Sequence, residues 1–496
     1  MKPAPNVLNM VINSQSDVTP RRPPSAAATL TILCGAPFLA SLDLFVVNVA
    51  FDQIGTSFPG HSLADMSWVL SGYAIVYAAL LIPLGRWADN VGHKRVFLMG
   101  LAVFTVASAA AAVSPGLWAL VGFRLLQAVG AAALTPTSLG LLLNSVPLEK
   151  RAISVRIWAA VSGAAAAAFG PVVGGLLVEV SWRWIFLINI PFGIVLLIAG
   201  TRVLAECRTL RADSKLDLFG AVLLAVGIGA LTTAIVQGHD WGWTSSGVIA
   251  AFVVAVVASI GFLLNNSRRR SPLVDPSLFR LRTFTWSNIG ALVFSASFAA
   301  GLLGLVLWLQ TVWDYSAVRT GLAITPGPIM VPIFAMVGQA LTKRFKASTL
   351  AFAGSVLWAA GTVLILLSVD SQPDYVTAVL PGWLLSGIGV GLTLPTILSS
   401  ATAQLPPTSA ATGSAVVNMT RQIGTVLGIS GLIALIGSPI GFDAAHEAFQ
   451  RAWWAVAATG LLSAVVAFGL TPRSSVAPSP VPGSTEAENT PSVTTN

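Results

Sequence analysis

The chain has 496 residues, of which 55% are hydrophobic and only 9% are Asp, Glu, Lys or Arg. An average soluble domain has about 25% charged residues, so this composition excludes a water-soluble protein and predicts an all-α membrane protein. Two cysteines and four histidines without ligand spacing indicate neither a disulfide framework nor a metal site, and we expect no cofactor.

Fourteen apolar runs are long enough to cross a bilayer as helices, because a span needs roughly 20 mainly apolar residues. A membrane barrel would instead show shorter, alternating segments. The even number of spans predicts that both termini lie on one side. The runs cover about 27–50, 67–85, 95–113, 116–143, 155–178, 184–204, 217–237, 248–266, 283–309, 319–341, 348–368, 375–403, 413–437 and 449–471.

The basic residues predict which side of the membrane each loop faces. If the N-terminus is inside, 22 of the 27 Lys and Arg residues fall on the inner side. This positive-inside asymmetry predicts a multi-pass protein of the plasma membrane with both termini cytoplasmic. The loops account for the net charge of +8, so no nucleic acid partner is expected. Residues 1–26 form a short tail rich in Pro and Ser, and residues 472–496 form a tail rich in Pro, Ser and Thr that is predicted to be disordered.

Span 1 contains Asp43, the one acidic residue well inside a predicted span, and span 4 contains Arg124. At 1.5 Å per residue both lie roughly 10–12 Å below the outer face, so we expect them to pair. Loss of the cation would shift the pKa of the acid, which makes this pair the predicted proton-coupling site. The alternative is a static structural ion pair.

The segment "GRWADNVGHKR" (85–95) joins spans 2 and 3 on the inner side. Its glycines, Gly85 and Gly92, are predicted to form a tight turn. Asp89 is expected to accept charge-assisted hydrogen bonds from an Arg or a helix N-terminus across the interface between the two halves. Arg86, Lys94 and Arg95 complete this predicted cytoplasmic gate loop. The alternative is that these charges only satisfy the positive-inside rule.

Span 5 contains "AAAAAFGPVVGG" (164–175), a run of small residues interrupted by a proline. Small side chains let neighbouring helices approach closely, and Pro171 is expected to bend the helix. Gly170, Gly174 and Gly175 are therefore candidates for a tight interhelical contact. Simple small-residue packing explains the same run without any consequence for transport.

Two passages 259 residues apart read alike: "GFRLLQAVGAAALTPTSLGLLLNSVP" (122–147) and "PGWLLSGIGVGLTLPTILSSATAQLP" (381–406). A fainter echo of the gate loop follows at 338–348. This duplication predicts two homologous halves with a site at their interface. The predicted organisation is a six-helix bundle at 27–204, two extra spans at 205–282, and a second six-helix bundle at 283–471.

Three further polar residues within spans are candidates for a substrate cavity: Asn48, Gln127 and Arg421. For the first two, hydrogen bonding between helices is an equal alternative. Arg421 has three open roles, namely snorkelling to the surface, bonding carbonyls, or attracting anionic substrate groups. The surrounding spans are apolar and aromatic, which favours a bulky amphipathic small molecule over a sugar.

Several motifs resemble the major facilitator superfamily, specifically its fourteen-span branch of drug:proton antiporters. The resemblance covers residues 27–471, and "GRWADNVGHKR" is similar to the signature loop between spans 2 and 3. His93 stands in that loop where Arg or Lys is usual. The other similar stretches are "LDLFVVNVAF" (42–51), "RLLQAVGAAALTPTSL" (124–139), "FGPVVGGLL" (169–177), "WRWIFLINIPFG" (182–193) and "NMTRQIGTVLG" (418–428).

This resemblance implies the major facilitator fold and proton-driven antiport that exports amphipathic drugs or antibiotics by alternating access. It also implies that the gate loop is a latch that holds the outward-facing state, and that the span 5 motif seals the protein against proton leak. The expected partners are protons, a small amphipathic substrate and the lipid bilayer, and the expected state is a monomer. Export of an endogenous metabolite or lipid, or import by proton symport, stays open. The sequence has no G-x-x-x-x-G-K-[ST] phosphate loop and no G-x-S-x-G or H-E-x-x-H motif, which disfavours a primary pump or an enzyme.

Overall fold

The structure is a computed structural model that describes residues 26–207, 217–269, 272–405, 407–437 and 441–470. Apart from Ala26, the predicted terminal tails lie outside these residues. Fourteen helices in the described chain are long and apolar enough to span a membrane, which confirms the predicted all-α fold. They are α1 Ala27–Val49, α2 Leu63–Val91, α3 His93–Ala112, α4 Leu117–Ser145, α5 Glu149–Val180, α6 Trp184–Val203, α7 Leu218–Gly238, α8 Ser246–Arg268, α9 Arg282–Val312, α10 Ala317–Leu341, α11 Ala347–Ser368, α12 Tyr375–Ala403, α13 Thr412–Ile436 and α14 Phe442–Leu470.

The two repeated passages make the same contact in the two halves of the chain. In α4, a Cβ on Gly130 would lie 2.6 Å from the backbone nitrogen of Phe104 in α3. In α12, a Cβ on Gly389 would lie 2.6 Å from the backbone nitrogen of Trp358 in α11. Each glycine thus lets two helix backbones touch where any side chain would separate them.

The segment between α2 and α3 is mostly helical, so the prediction that Gly85 belongs to a tight turn is wrong. Helix α2 continues to Val91 and α3 begins at His93, which leaves Gly92 alone between them at a φ of 121°. Gly85 lies inside α2, where a Cβ would be 3.2 Å from the Cβ of Pro136 in α4. The first glycine therefore serves helix packing, and only the second serves the turn.

Helices α7 and α8 form an antiparallel pair beside the two bundles. Ile228 of α7 packs in one cluster with Ala74 and Ile75 of α2 and Val426 of α13. Helix α7 therefore touches both halves of the chain, while α8 packs mainly on α7 and is largely exposed. At the foot of the pair, the Asp217 carboxylate caps α7 and accepts a bond of 2.9 Å from Asn265 of α8.

Two direct contacts between the two halves lie towards one end of the bundle. We call the end where α2 meets α3 the basic face, and the other end the opposite face. Near the opposite face, Gln310 Nε2 of α9 donates to the carbonyl of Val49 in α1 at 2.8 Å. A Cβ on Gly175 of α5 would lie 2.6 Å from the carbonyl oxygen of Ala317 in α10. The structure is thus closed at the opposite face.

Replacing Gly130 by alanine tests the backbone contact between α3 and α4. We expect Gly130→Ala to destabilise the protein by about 1–3 kcal/mol, since the added methyl group has no room and the backbones must separate. The measurement is the midpoint of thermal unfolding of the detergent-purified protein. Gly122→Ala, on the same helix, is the matched control because a Cβ there meets nothing within 4 Å. Equal midpoints for the two variants would contradict this account of the packing.

Candidate functional site

The structure brings together Asp43 and Arg124, the two charged residues predicted to lie at one depth. Arg124 Nη1 donates to Asp43 Oδ2, and Arg124 Nε donates to the carbonyl oxygen of Val69 at 3.1 Å. The exposed fraction is 2% for Asp43 and 0% for Arg124. Asp43 comes from α1 and Arg124 from α4. Because their charges are opposite, the pair is neutral as a whole within the first bundle.

Two amide side chains hold the other oxygen of the Asp43 carboxylate. Gln127 Nε2 donates to Asp43 Oδ1 at 2.9 Å, and Asn189 Nδ2 of α6 donates to the same atom at 3.2 Å. Both amides also lie within hydrogen-bond distance of Ser108 Oγ in α3, at 2.8 and 3.4 Å. Gln127 also accepts from Arg124 Nη1 at 2.6 Å. Side chains of α3, α4 and α6 thereby form one network around the carboxylate of α1.

The guanidinium of Arg124 is packed against an aromatic ring. Its Cζ lies 4.3 Å from the centre of the Tyr73 ring of α2, an arrangement that attracts a cation. Three buried polar atoms of this site have no hydrogen-bond partner among the described residues: Arg124 Nη2, Asn189 Oδ1 and the Tyr73 hydroxyl. These donors and acceptors could form further hydrogen bonds if the side chains of the site rearranged.

The three substrate-cavity candidates occupy different places. Gln127 is fully buried in the network around Asp43 rather than in the interface between the halves. Asn48 is half-buried and donates to the Leu44 carbonyl of its own helix at 2.7 Å. Arg421 is half-buried in α13 and donates from Nη1 to Asn418 Oδ1 at 3.1 Å. The structure thus joins Gln127, but not Arg421, to the ion pair.

The gate loop is hydrogen-bonded to the C-terminal end of α6 and to the residues that follow it. Glu206 accepts from the backbone N–H groups of Lys94 and Arg95 at 2.9 and 3.3 Å, so it caps the N-terminus of α3. The ammonium of Lys94 donates to the carbonyl oxygen of Leu204 at 2.6 Å, near the C-terminal end of α6. Each charge is thereby placed against the helix end of opposite polarity.

Two further gate-loop residues make contacts on the basic face. Asp89 Oδ1 lies 3.1 Å from Nε2 of His93, so its recorded partner lies in the loop itself and not across the interface. Arg86 Nη2 donates to the carbonyl of Leu273, in the segment between α8 and α9, at 3.4 Å. In this conformation the gate loop thus connects α2 and α3 with α6 and with the linker to the second half.

The glycines of span 5 face two different helices. A Cβ on Gly170 would be 2.5 Å from the Cβ of Phe45 in α1, and a Cβ on Gly174 would be 3.1 Å from the Cα of Val46. Gly175 faces α10 of the second half, and so does Pro171, whose carbonyl contacts Gly321. The motif is therefore wedged between α1 and the second half, with a wide helical turn at Ala160–Ala165 preceding it.

The family model for the Major Facilitator Superfamily matches residues 33–429 and 333–494. The chain is 32% identical to the Methylenomycin A resistance protein of Streptomyces coelicolor over 85% of this chain and 88% of that protein. It is 33% identical to the Tetracenomycin C resistance and export protein of Streptomyces glaucescens over 83% and 76% of the two chains. For the Cephamycin export protein CmcT of Amycolatopsis lactamdurans the identity is 33% over 84% and 86%. The chain belongs to the major facilitator superfamily. The predicted family is therefore confirmed, and the protein is a membrane transporter and not an enzyme.

Solved structures of other superfamily members share the fold. A POT family transporter in complex with a thioalcohol-conjugated peptide superposes with a TM-score of 0.66 at 14% identity, covering 88% of this chain and 94% of that one. A bacterial homologue of the human lysosomal transporter Spinster, in an inward-facing and unoccupied conformation, gives 0.62 at 18% identity, covering 89% and 96%. At these identities the likeness shows the major facilitator fold alone.

Sequence reasoning missed two members of the network around Asp43. Ser108 is one of several small residues in an apolar span, and nothing in its neighbourhood distinguishes it. Asn189 lies in "WRWIFLINIPFG", a stretch that resembles the superfamily but received no role. A polar amide in an otherwise apolar span is itself a signal, because such a group needs a partner within the membrane.

A carboxylate at the opposite face couples the closed conformation to pH. Burial raises the pKa of Asp52, in the short helix Phe51–Ser57, and the neighbouring Asp314 of the second half adds to the rise. A raised pKa means that this conformation binds a proton more tightly than one in which the halves separate and Asp52 lies further from Asp314. Acid therefore favours the closed face, and this advantage is lost as the pH rises through the raised pKa.

We expect spin labels at Gln53 and Ser316, placed in a cysteine-free background, to be closer together at acidic than at neutral pH. The measurement is the distance distribution by pulsed electron resonance. In Asp52→Asn the distance between the labels should depend less on pH, because the titrating carboxylate is absent. Glu447→Gln, which removes an exposed acid of α14, is the control and should keep it. An undiminished shift in Asp52→Asn would show that another group titrates.

Proposed function

We propose that this transporter exports amphipathic drugs or antibiotics from the cell in exchange for protons. The observation that carries the proposal is the neutral Asp43–Arg124 pair in the first bundle, held by amides from two helices. Three relatives over most of the chain's length are described as antibiotic resistance or export proteins, which supports the substrate class and the direction. We place the basic face in the cytoplasm of a plasma-membrane protein, in keeping with the positive-inside rule.

Protonation of Asp43 is linked to a conformational change by the charge balance of its site. In the structure the carboxylate and the guanidinium neutralise each other where no water solvates them. A proton on Asp43 would leave the positive charge of Arg124 without a counter-charge, at a cost of several kcal/mol in such an environment. The protonated site therefore favours a different arrangement of α1 and α4. Arg124 Nη2 and Asn189 Oδ1, both unpartnered here, are available to that arrangement.

We assign the structure to the inward-facing part of the transport cycle. The halves touch near the opposite face, where Gln310 bonds to Val49 and Gly175 of span 5 contacts α10. Because α1 carries both Asp43 and the carbonyl that Gln310 holds, a movement of α1 on protonation reaches the opposite-face contact directly. Span 5 packs tightly against both α1 and α10. We propose that these contacts limit proton leak because they leave no room for a chain of water molecules along α5.

The gate loop closes the basic face in the other half of the cycle. Asp89 is bonded to His93 in the present conformation, so it is held away from the second half. We propose that Asp89 exchanges this partner for donors of the second half when the halves rock together at the basic face. Glu206 and Lys94 keep the loop fixed to α6, so that the loop moves with the first bundle as one body.

Removing the ion pair in two steps separates coupling from structure. In everted vesicles with an acidic interior, we expect Asp43→Asn to abolish the uphill accumulation of phenylnaphthylamine, a fluorescent amphiphile, because the proton acceptor is lost. The double variant Asp43→Asn/Arg124→Gln removes both charges, so it should be more stable than Asp43→Asn, in which Arg124 keeps an unpaired buried charge. It should still fail to accumulate the probe, although downhill equilibration persists.

Asp443→Asn, which removes an exposed acid at the start of α14, is the matched control and should accumulate the probe normally. Normal accumulation by the double variant would mean that the pair is only structural, and would overturn this coupling site. Wild-type accumulation that survives collapse of the pH gradient would overturn proton coupling altogether.

The gate loop is tested by Asp89→Asn. We expect transport to slow by about tenfold, because a charge-assisted bond in the outward-facing state is worth about 1.5–3 kcal/mol. Binding of the probe to the purified protein should stay at the wild-type level. The measurement compares initial transport rates with fluorescence titrations, and Glu149→Gln, an exposed acid on the same face, is the control. Equal rates for the two variants would remove Asp89 from the gate.

A further inference from the structure

Arg421 is a cation deep within the membrane-spanning region. It lies nine residues after the start of α13 at Thr412 and fifteen before its end at Ile436. At 1.5 Å per residue these distances are about 14 and 22 Å along the helix, so the side chain originates far from both faces. A charged residue at such a depth costs at least about 2.5 kcal/mol to insert, and it persists where it has a function.

The surroundings of Arg421 do not neutralise its charge. Nη1 donates to the neutral Asn418 side chain, and the buried Nε has no partner among the described residues. The ion pairs recorded in the described chain give Arg421 no carboxylate within 4.0 Å. Arg124, by contrast, has Asp43 at hydrogen-bond distance. Arg421 is therefore a deep cation without an anionic partner among the described residues.

Arg421 lies next to an apolar contact between the two halves. On the side towards the opposite face, Ile75 of α2 packs with Ile423 and Val426 of α13. Tyr77 of α2, two residues further towards the basic face, is close enough to Arg421 to interact with it electrostatically. Its hydroxyl is bonded to Thr135 Oγ1 of α4 at 2.8 Å. The cation and the hydroxyls of Tyr77 and Thr135 thus lie at the boundary between the two halves, next to a buried aliphatic cluster.

We propose that Arg421 binds the acidic group of the exported substrate, which makes organic anions with an apolar body the substrate class. This inference rests on the proposed function, since it names the chemistry of the molecule that the transporter carries. A carboxylate or sulfonate accepts two hydrogen bonds from the guanidinium and supplies the missing charge. The apolar body of the substrate lies between the two halves beside the aliphatic cluster of α2 and α13, and the hydroxyls of Tyr77 and Thr135 border the anion.

An anionic substrate also changes the energetics of exchange. An outgoing anion and an incoming proton both move the cell interior towards positive charge, so the membrane potential, negative inside, drives both movements. A neutral substrate exchanged for the same number of protons moves one charge fewer. The anionic class is therefore exported with a larger driving force.

Two probes with one ring system test the proposal. Anilinonaphthalene sulfonate is anionic, and phenylnaphthylamine lacks the sulfonate. In everted vesicles with an acidic interior we expect wild-type protein to accumulate both. In Arg421→Gln the ratio of anionic to neutral probe transport should fall roughly ten- to a hundredfold, the worth of a charge-assisted hydrogen bond. Arg421→Lys, which keeps the charge, should restore much of it, and Arg451→Gln, an exposed arginine of α14, should leave it unchanged.

A competition experiment on the wild-type protein avoids any effect of substitution on folding. We expect dodecanoate to inhibit transport of the neutral probe at a lower concentration than dodecanol, because only the carboxylate meets Arg421. Equal inhibition by the two, or an unchanged transport ratio in Arg421→Gln, would overturn the anion site while proton-driven export stands. Accumulation of both probes that is indifferent to the pH gradient would instead overturn the proposed function.

Discussion

The structure depends on one neutral ion pair placed where no water reaches it. Asp43 and Arg124 come from different helices, and each would be expensive to bury alone. The backbone carbonyl of Val69, the amides of Gln127 and Asn189, and a tyrosine ring all serve to hold these two charges together. The helices of the first bundle thus pack around a pair whose net charge changes when Asp43 binds a proton. The packing of these helices therefore depends on the protonation state of Asp43.

Backbone contact at glycines is the second constraint, and it repeats with the duplication of the chain. Gly130 and Gly389 each press one helix onto its neighbour within a half. Gly175 does the same between the halves. The attraction at such a contact falls steeply as the helices separate, because a gap of about 0.5–1 Å already forfeits roughly a quarter to a half of it. A small separation of the two halves therefore already weakens the contact at Gly175.

The sequence predicted the number of helices, their order and the pairing of Asp43 with Arg124, because hydropathy and helical rise fix depth. It did not predict that α2 runs as a helix to Val91, since a cluster of glycine and charge is as typical of a loop as of a helix end. Nor could it identify Asn189 as a partner of Asp43. Depth along one helix says nothing about rotation, and rotation decides which side chains of α6 face α1.

The position of α7 has a consequence for how molecules reach the interior from the bilayer. Two lateral seams separate the halves, one between α2 and α13 and the other between α5 and α10. Helix α7 covers the first near the opposite face by packing on both sides of it, whereas Gly175 of α5 and Gly321 of α10 bring the two helices of the second into contact. The two lateral portals are therefore unequal. A compound dissolved in the leaflet on the side of the opposite face meets an additional helix at one of them, so the two lateral routes from the bilayer differ.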